Sequence, residues 1–286
     1  MSSLAEVTSR SHDPCRRVSA NAQAWYDYSL YFEIFSHHTP LSIDHRETLA
    51  ELQQAPRRFK KGSVIKNREL NNRHLLAIQD GWACSCRVSE DGNRQIIDLY
   101  LPGEIVGLRD HHAGGSFDEV IMLTEGLVIP LHKSQLDHLM QKDHSLVNAV
   151  LATTIHQCNI MADRLNNLIS RDATSRLAYF ILELHARLNF SRAELKDLSL
   201  PLSQQVIGDL LGMTNVHVCR CLSQLEAKGL LTRDRDSRDI QITDYAGLLA
   251  LSGFGTAYLH HCHGSRRGRS AHARDALSHG GQPGRR

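Results

Sequence analysis

The stretch SQQVIGDLLGMTNVHVCRCLSQLE, from Ser203 to Glu226, decides the fold of the C-terminal part of the chain. It predicts two short helices around a tight turn. Ser203 and Thr214 are residue types that cap helix starts with a side-chain oxygen, and Gly212 lies where the chain must turn. This arrangement is typical of a helix-turn-helix. The spacing alone leaves open an ordinary amphipathic helix pair joined by glycine.

The second predicted helix has one apolar and one polar face. Val218, Leu222 and Leu225 recur at i, i+4 and i+7 and should face a core. The opposite face of a helix-turn-helix is the surface that meets DNA bases. The candidate DNA-contacting residues of the unit are Ser203, Gln204, Gln205, Thr214, Asn215, Val216, His217, Cys219, Arg220 and Ser223.

A hairpin is predicted directly after this unit. Gly229 closes the second helix, and LLTRDRDSRDIQIT gives two β-prone runs around a turn, as in the wing of a winged helix. The alternation Arg233-Asp234-Arg235-Asp236 places both arginines on one strand face. Together with Arg220, Lys228 and Arg238 they supply local positive charge for phosphate. The alternative is a solvated hairpin whose charges pair with one another.

The segment from about Asp172 to Leu251 resembles the DNA-binding domain of the Crp/Fnr superfamily of bacterial transcription regulators. Its recognition helix is similar to the branch that reads T-x-V-H-V-N-R, through Thr214, Val216, His217, Val218 and Arg220. The resemblance implies that Gly212 is the turn glycine and that Arg220 reads guanine. Cys219 stands where that branch has Asn, and a thiol is a poorer hydrogen-bond partner than an amide.

A long helix is predicted upstream, over residues 143–171. Its apolar residues are spaced alternately by four and three positions, which is a seam sustained over three heptads. The seam residues are Val147, Leu151, Thr154, Cys158, Met161, Leu165 and Leu168. Such a seam predicts a partner helix, although packing against the chain's own N-terminal domain remains an alternative. In the resembled family this position is the dimer helix. Asp172 can cap the next helix, which places a domain boundary there.

The stretch from about Phe59 to Leu131 predicts consecutive short strands, because turn signals recur every 8 to 12 residues without intervening helices. The expected fold is therefore α+β. An N-terminal β-roll of the jelly-roll, cyclic-nucleotide-binding-like type is joined by the dimerisation helix to a winged helix-turn-helix. The resemblance extends over roughly Thr39 to Leu251. The predicted segments are a flexible extension (1–30), the β-roll (31–142), the dimerisation helix (143–171), the winged domain (172–252) and a basic disordered tail (253–286).

Composition favours a cytoplasmic protein. The chain has 286 residues with 41% hydrophobic content, no run of about 18 apolar residues and no signal-peptide pattern, so no membrane association is expected. Seven scattered cysteines argue against a disulfide framework. The net charge is +2, but residues 253–286 carry six arginines and one aspartate, which leaves −3 for the rest of the chain. Attraction to phosphate must therefore come from local placement.

The effector of the β-roll is not evident from the sequence. Cyclic-nucleotide binders of the resembled family carry an Arg-Ser or Arg-Thr pair after the Gly-Glu turn. Here the stretch is RDHHAGGSFDEV, in which Arg109 lacks that hydroxyl residue and Asp118 and Glu119 would repel a phosphate. Iron–sulfur sensors of the family need a cysteine cluster, and Cys15, Cys84, Cys86 and Cys158 do not supply its spacing.

Thiol and imidazole groups leave further alternatives open. Cys84 and Cys86 share a strand face and are more often packed thiols than a redox or metal pair. His111-His112 and the run 260–263 (His-His-Cys-His) have metal-ligand chemistry, but no residue singles itself out, so no cofactor and no metal site is assigned. The alternatives are a haem- or metal-dependent gas or redox sensor, a ligand-free DNA-bound protein, and a cupin-like metalloprotein. The cupin alternative is weakened because adjacent histidines on a strand point to opposite faces.

The sequence thus predicts a non-enzymatic transcription regulator that binds an inverted repeat in double-stranded DNA as a homodimer. The resemblance implies that it also contacts RNA polymerase. The effector is unknown and is not expected to be cyclic AMP. Activation and repression are both left open.

Overall fold

The structure is a computed structural model that describes residues 29–67, 73–88, 94–110, 118–191, 197–234 and 239–255. Antiparallel strands dominate the N-terminal half of this part of the chain. Helices and a small sheet make up the C-terminal half. The expected α+β class is confirmed.

The N-terminal half contains two four-stranded sheets that form a β-roll. The strands are β1 (Arg57–Phe59), β2 (Val64–Lys66), β3 (His74–Asp80), β4 (Ala83–Val88), β5 (Arg94–Tyr100), β6 (Ile105–Val106), β7 (Glu119–Met122) and β8 (Gly126–His132). The sheet orders are β1-β8-β3-β6 and β2-β7-β4-β5, and every pairing is antiparallel. The longer strands were predicted from the turn signals. The short strands β1, β2 and β6 were not, because two or three residues give no alternation to detect.

Two helices precede the roll, and the sequence analysis missed both. They are α1 (Leu30–His38) and α2 (Ile43–Ala50). Tyr31 and Phe35 of α1 are each only 1% exposed, and the Tyr31 hydroxyl donates to the carbonyl of Leu49 at 2.9 Å. This segment is therefore part of the packed fold from Ser29 onward.

The helix α4 (His144–Ser170) follows the roll and the short α3 (Lys133–Met140). Asp143 caps α4 by accepting a hydrogen bond from the Ser145 amide at 2.8 Å. The helix ends at Arg171, whose backbone is extended. Asp172 then accepts hydrogen bonds from the Thr174 and Ser175 amides, so it caps the next helix, α5 (Ala173–Ser191), as its residue type predicts.

The C-terminal half is a winged helix-turn-helix. It comprises α5, β9 (Asp197–Ser199), α6 (Gln204–Leu211), α7 (Asn215–Ala227), β10 (Leu231–Arg233), β11 (Asp239–Ile242) and α8 (Tyr245–Ser252). The hairpin β10-β11 is the predicted wing, and β9 adds a third strand that was not predicted. Phe254, which was assigned to the disordered tail, is 4% exposed and lies 4.8 Å from the Tyr179 ring.

The two halves share one hydrophobic core cluster. Trp82, Cys84 and Leu99 of the roll belong to the same cluster as the buried leucines of α5, α6 and α7. The helix α6 contacts β5 directly. The helix-turn-helix is therefore seated on the outer face of the β4-β5 pair and does not project from a separate domain.

Two glycines of the helix-turn-helix provide a matched stability test. A Cβ atom at Gly208 would lie 2.4 Å from the carbonyl oxygen of Met213, whereas Gly229 has a φ of +69° and no atom near the added Cβ. We expect Gly229→Ala to lower the free energy of unfolding by about 1 kcal/mol, because only the left-handed backbone is strained. Gly208→Ala should cost more, about 2 to 3 kcal/mol, because the turn must move. Urea denaturation of both variants checks this order, and an equal or reversed order would contradict the close packing at Gly208.

Candidate nucleic-acid interface

The first helix of the helix-turn-helix begins at Ser203. Its hydroxyl oxygen accepts a hydrogen bond from the Val206 amide at 3.2 Å, which is the cap that the sequence predicts. Ser203, Gln204 and Gln205 are all exposed at this helix start. The Gln205 amide donates to Asp209 at 2.8 Å, so part of its hydrogen-bonding capacity is used within the helix.

The turn is built as the sequence predicts. Gly212 ends α6 in the left-handed conformation with a φ of +62°, and the Met213 amide donates to the carbonyl of Gly208 at 2.8 Å. The Thr214 hydroxyl oxygen then accepts from the His217 amide at 3.2 Å and caps α7. Both ends of the turn are thereby fixed by hydrogen bonds within the unit.

The recognition helix α7 presents the predicted face to solvent. Val218, Leu222 and Leu225 are at most 5% exposed and face the core. The opposite face carries only exposed residues, namely Asn215, Val216, His217, Cys219, Arg220 and Ser223. Val216 is 65% exposed although it is apolar. This face therefore offers a guanidinium, an amide and a methyl surface, which are the groups that read base edges.

Arg233 of the wing is engaged with α7. Its guanidinium bonds to the Glu226 carboxylate and to the Ser223 hydroxyl, the latter at 3.3 Å. The hydrogen bond that Arg233 donates to the Glu226 carboxylate raises the pKa of Arg233. Arg233 thus pairs with a carboxylate outside the hairpin, and this contact ties the wing to α7. Arg235 and Arg238 lie outside the described residues.

A groove of about 650 Å³ runs between α7 and the wing. Gln204, Asn215, Cys219 and Ser223 line it together with apolar residues such as Leu222. Six of the candidate DNA-contacting residues, these four together with Ser203 and Gln205, are thereby brought to one concave surface.

The outer face of α4 is apolar and exposed in the single chain. Leu151 is 55% and Leu165 59% exposed, and Cys158 is exposed between them. Ile155 and Ile169, 49% and 79% exposed, belong to the same face but were missed. A second spacing of four and three, through Leu151, Ile155, Cys158, Ala162, Leu165 and Ile169, would have found them.

The other predicted seam residues lie partly against their own chain. Val147 and Thr154 are half-buried, and Met161 contacts the Arg109 guanidinium of the roll. Leu168, 38% exposed, lies 3.5 Å from the position that a Cβ of Gly212 would occupy. The C-terminal end of α4 therefore touches the turn of the helix-turn-helix.

The cationic groups at the expected effector site are paired with carboxylates of the same chain. Arg109 donates to Asp98 at 3.0 Å and to the Tyr100 hydroxyl at 2.9 Å. The buried Lys66 ammonium lies 2.7 Å from Asp110. Asp118 and Glu119, predicted to repel a phosphate, form ion pairs with Arg87 and Arg94.

The thiols do not form a metal or cluster site in the described ranges. Cys84 and Cys86 are buried, and burial raises the pKa of Cys84 to about 12, which opposes the thiolate that metals bind. No three His, Cys, Asp or Glu side chains converge on one point in these ranges, so the residues seen do not fit an iron–sulfur cluster. His111-His112 and residues 260–263 lie outside them.

None of the helices that the structure describes within residues 29–255 is both long and apolar enough to cross a bilayer.

Comparison with known proteins matches both halves. Residues 56–143 match the cyclic nucleotide-binding domain family and residues 175–251 the Crp-like helix-turn-helix domain family. "Transcriptional activator protein FnrA" of Stutzerimonas stutzeri is 25% identical over 219 residues, covering 75% of this chain and 88% of that protein. "Anaerobic regulatory protein" of Haemophilus influenzae is 27% identical over 207 residues, covering 71% and 75%.

A solved structure supports the same assignment. FixK2 from Bradyrhizobium japonicum matches with a TM-score of 0.61 and 26% identity, covering 69% of this chain and 96% of that one. The two domain-family matches cover the roll and the helix-turn-helix of this chain, in that order along the sequence. The chain belongs to the Crp/Fnr family of transcription regulators.

Proposed function

We propose that this regulator is a homodimer that binds an inverted repeat in double-stranded DNA, with the recognition helix 214–226 in the major groove. The observation that carries the proposal is α7 itself. It is capped at Thr214, anchored by Val218, Leu222 and Leu225, and exposed along the face that bears Arg220. A helix held in this way can enter a major groove without rearrangement. The protein acts by binding and not by catalysis, and RNA polymerase is its second partner.

Different side chains of α7 are suited to recognise different bases. Arg220 can donate two hydrogen bonds to O6 and N7 of guanine, and Val216 offers a methyl surface suited to thymine. Asn215 is the candidate for adenine or phosphate, although its side-chain oxygen already accepts from the Val216 amide at 2.8 Å. Gln204, at the start of α6, is placed to contact phosphate and position the unit.

The dimer forms through the outer face of α4. An apolar stripe with Leu151, Ile155, Leu165 and Ile169 between 49% and 79% exposed is unusual on a helix of a monomer. Covering it with the same stripe of a second chain removes this surface from water, at roughly 25 cal/mol for each Å². A twofold dimer then places its two recognition helices about one DNA turn apart, roughly 10 to 11 base pairs.

Cyclic nucleotides are not the effector. A cyclic phosphate needs an unpaired cation, whereas Arg109 and Lys66 already face Asp98 and Asp110 at 3.0 and 2.7 Å. Displacing an internal carboxylate from a half-buried guanidinium offsets what the phosphate would gain.

Replacement of Arg220 tests the reading helix. Arg220→Ala should cost about 1 to 3 kcal/mol per half-site and relax the preference for one G·C pair in each arm. Gln204→Ala is the matched control, which should weaken all sequences alike without changing the selected motif. Binding-site selection from a random DNA pool measures both. Recovery of the same motif at the same information content with Arg220→Ala would show that another residue reads the base.

Cys158 tests the dimer. Because it lies on the exposed face of α4, a parallel pair of these helices brings the two Cys158 Cα atoms within about 7 Å, the range that a disulfide bridges. Mild oxidation of the dimer should therefore give a covalent dimer on a non-reducing gel. Cys158→Ser should abolish the cross-link, and Cys219→Ser, at the other exposed thiol of the described residues, should not. A dimer by light scattering that never cross-links through Cys158 would refute this placement.

Calorimetry tests the effector argument. Millimolar cyclic AMP should neither bind nor change DNA affinity, because the cations of the roll remain paired with Asp98 and Asp110. Micromolar binding in the titration would contradict it.

A further inference from the structure

Six charged side chains form a continuous chain of contacts where the roll, α4 and α5 meet. Their signs alternate, so that each carboxylate lies between or beside arginines. In order of contact they are Arg109, Asp98, Arg164, Glu183, Arg187 and Glu104. We name this set the ion chain. Its formal charges cancel, and it begins and ends on the roll.

Arg164 of α4 is the bridge between the roll and the winged domain. One Nη donates to Asp98 of β5 at 2.7 Å. The other Nη and the Nε donate to the two carboxylate oxygens of Glu183 on α5, at 2.6 and 3.3 Å. A single guanidinium thus joins three elements, which its planar fork allows and a point charge does not.

Arg187 returns the chain from α5 to the roll. Its Nε and one Nη donate to the two oxygens of Glu104 at 2.9 and 2.7 Å, and the same Nη donates to the carbonyl of Leu99 at 2.8 Å. The other Nη donates to Glu183 at 2.8 Å. Glu104 is itself fixed, because its carboxylate accepts from the Leu101 amide at 3.1 Å. The first helix of the winged domain is therefore fastened to the roll directly through Arg187 and indirectly through Arg164 of α4.

The ion chain is buried, so its members depend on one another. Glu183 is 1%, Asp98 and Arg187 are each 4% and Arg164 is 7% exposed. Burial alone would lower the pKa of Arg164, but the carboxylates of Glu183 and Asp98 outweigh this and raise it. A charge that loses its partner here stays desolvated and uncompensated. Loss of one contact of the ion chain should therefore weaken the others.

We propose that the ion chain is a coupling element that holds the winged domain in one orientation against the roll and α4, and thereby sets DNA affinity in the absence of an effector. The DNA part rests on the proposed function above. Leu168, one helical turn beyond Arg164 on α4, lies next to the Gly212 turn and lines a small cavity together with Leu211 of α6. A shift of α4 against α5 is therefore transmitted to the helix-turn-helix.

The test is Arg164→Lys, which keeps the charge but replaces three donor nitrogens of the fork by a single Nζ, so the three hydrogen bonds to Asp98 and Glu183 cannot all be kept. Arg94→Lys is the matched control, since Arg94 lies on β5 in an exposed pair with Glu119 at 3.2 Å. Hydrogen exchange followed by mass spectrometry should show faster exchange in both α5 and β5 for Arg164→Lys and no change for the control. Affinity for the inverted repeat selected by the wild type should fall on the order of tenfold.

Glu104→Gln provides a second variant, at the opposite end of the ion chain. If the ion chain couples these elements, Glu104→Gln should speed exchange in the same segments as Arg164→Lys. If the two substitutions are only local defects, each should speed exchange only around the substituted residue. Unchanged exchange in α5, or faster exchange with wild-type DNA affinity, overturns the proposal. If the wild type selects no inverted repeat, the proposed function fails instead, and the exchange of α5 and β5 alone decides whether the ion chain couples them.

Discussion

The structure depends on the burial of Arg164 and Arg187 with three carboxylates between the roll, α4 and α5, with the half-buried Arg109 at one end. Removing one member of a buried ion pair costs about 3 to 5 kcal/mol, because the remaining charge is uncompensated. That is a large part of the stability of an ordinary domain, about 5 to 15 kcal/mol. The alternating order from Arg109 to Glu104 leaves no such charge, and so the polar junction between two sheets and two helices can stay closed.

The same junction of the roll, α4 and α5 explains how the recognition helix α7 is oriented. The winged domain is not tethered to the roll by a linker, since Trp82 and Leu99 share a core with α5, α6 and α7. The apolar contact resists separation of the two halves but has little directionality. The fork of Arg164 supplies the direction, because its hydrogen bonds to Asp98 and Glu183 fix α4 and α5 in one mutual position.

Local signals were read correctly from the sequence, and long-range ones were not. Ser203, Gly212 and Thr214 could be assigned because a cap or a left-handed turn is decided by its immediate neighbours. Asp98 and Glu104 carry no such signal, since their partners Arg164 and Arg187 lie 66 and 83 positions away. Arg233 shows the same limit. Its charge suggested that the guanidinium contacts phosphate, and only the folded wing shows that this guanidinium is bound to the Glu226 carboxylate.

The helix α4 shows why the seam was only partly identified. A surface helix normally turns its apolar face inward, but the buried face of α4 includes Thr153, Gln157, Arg164 and Asn167. Its polar groups are used by the roll and the winged domain, as when Gln157 donates to the carbonyl of Ile105 at 3.1 Å. Beside the buried Val150 and Ile160, further apolar residues are left on the outside, and two overlapping heptad registers result. The inward side of α4 is already covered by its own chain. The outward apolar side is therefore the one that a second copy would cover in the proposed dimer.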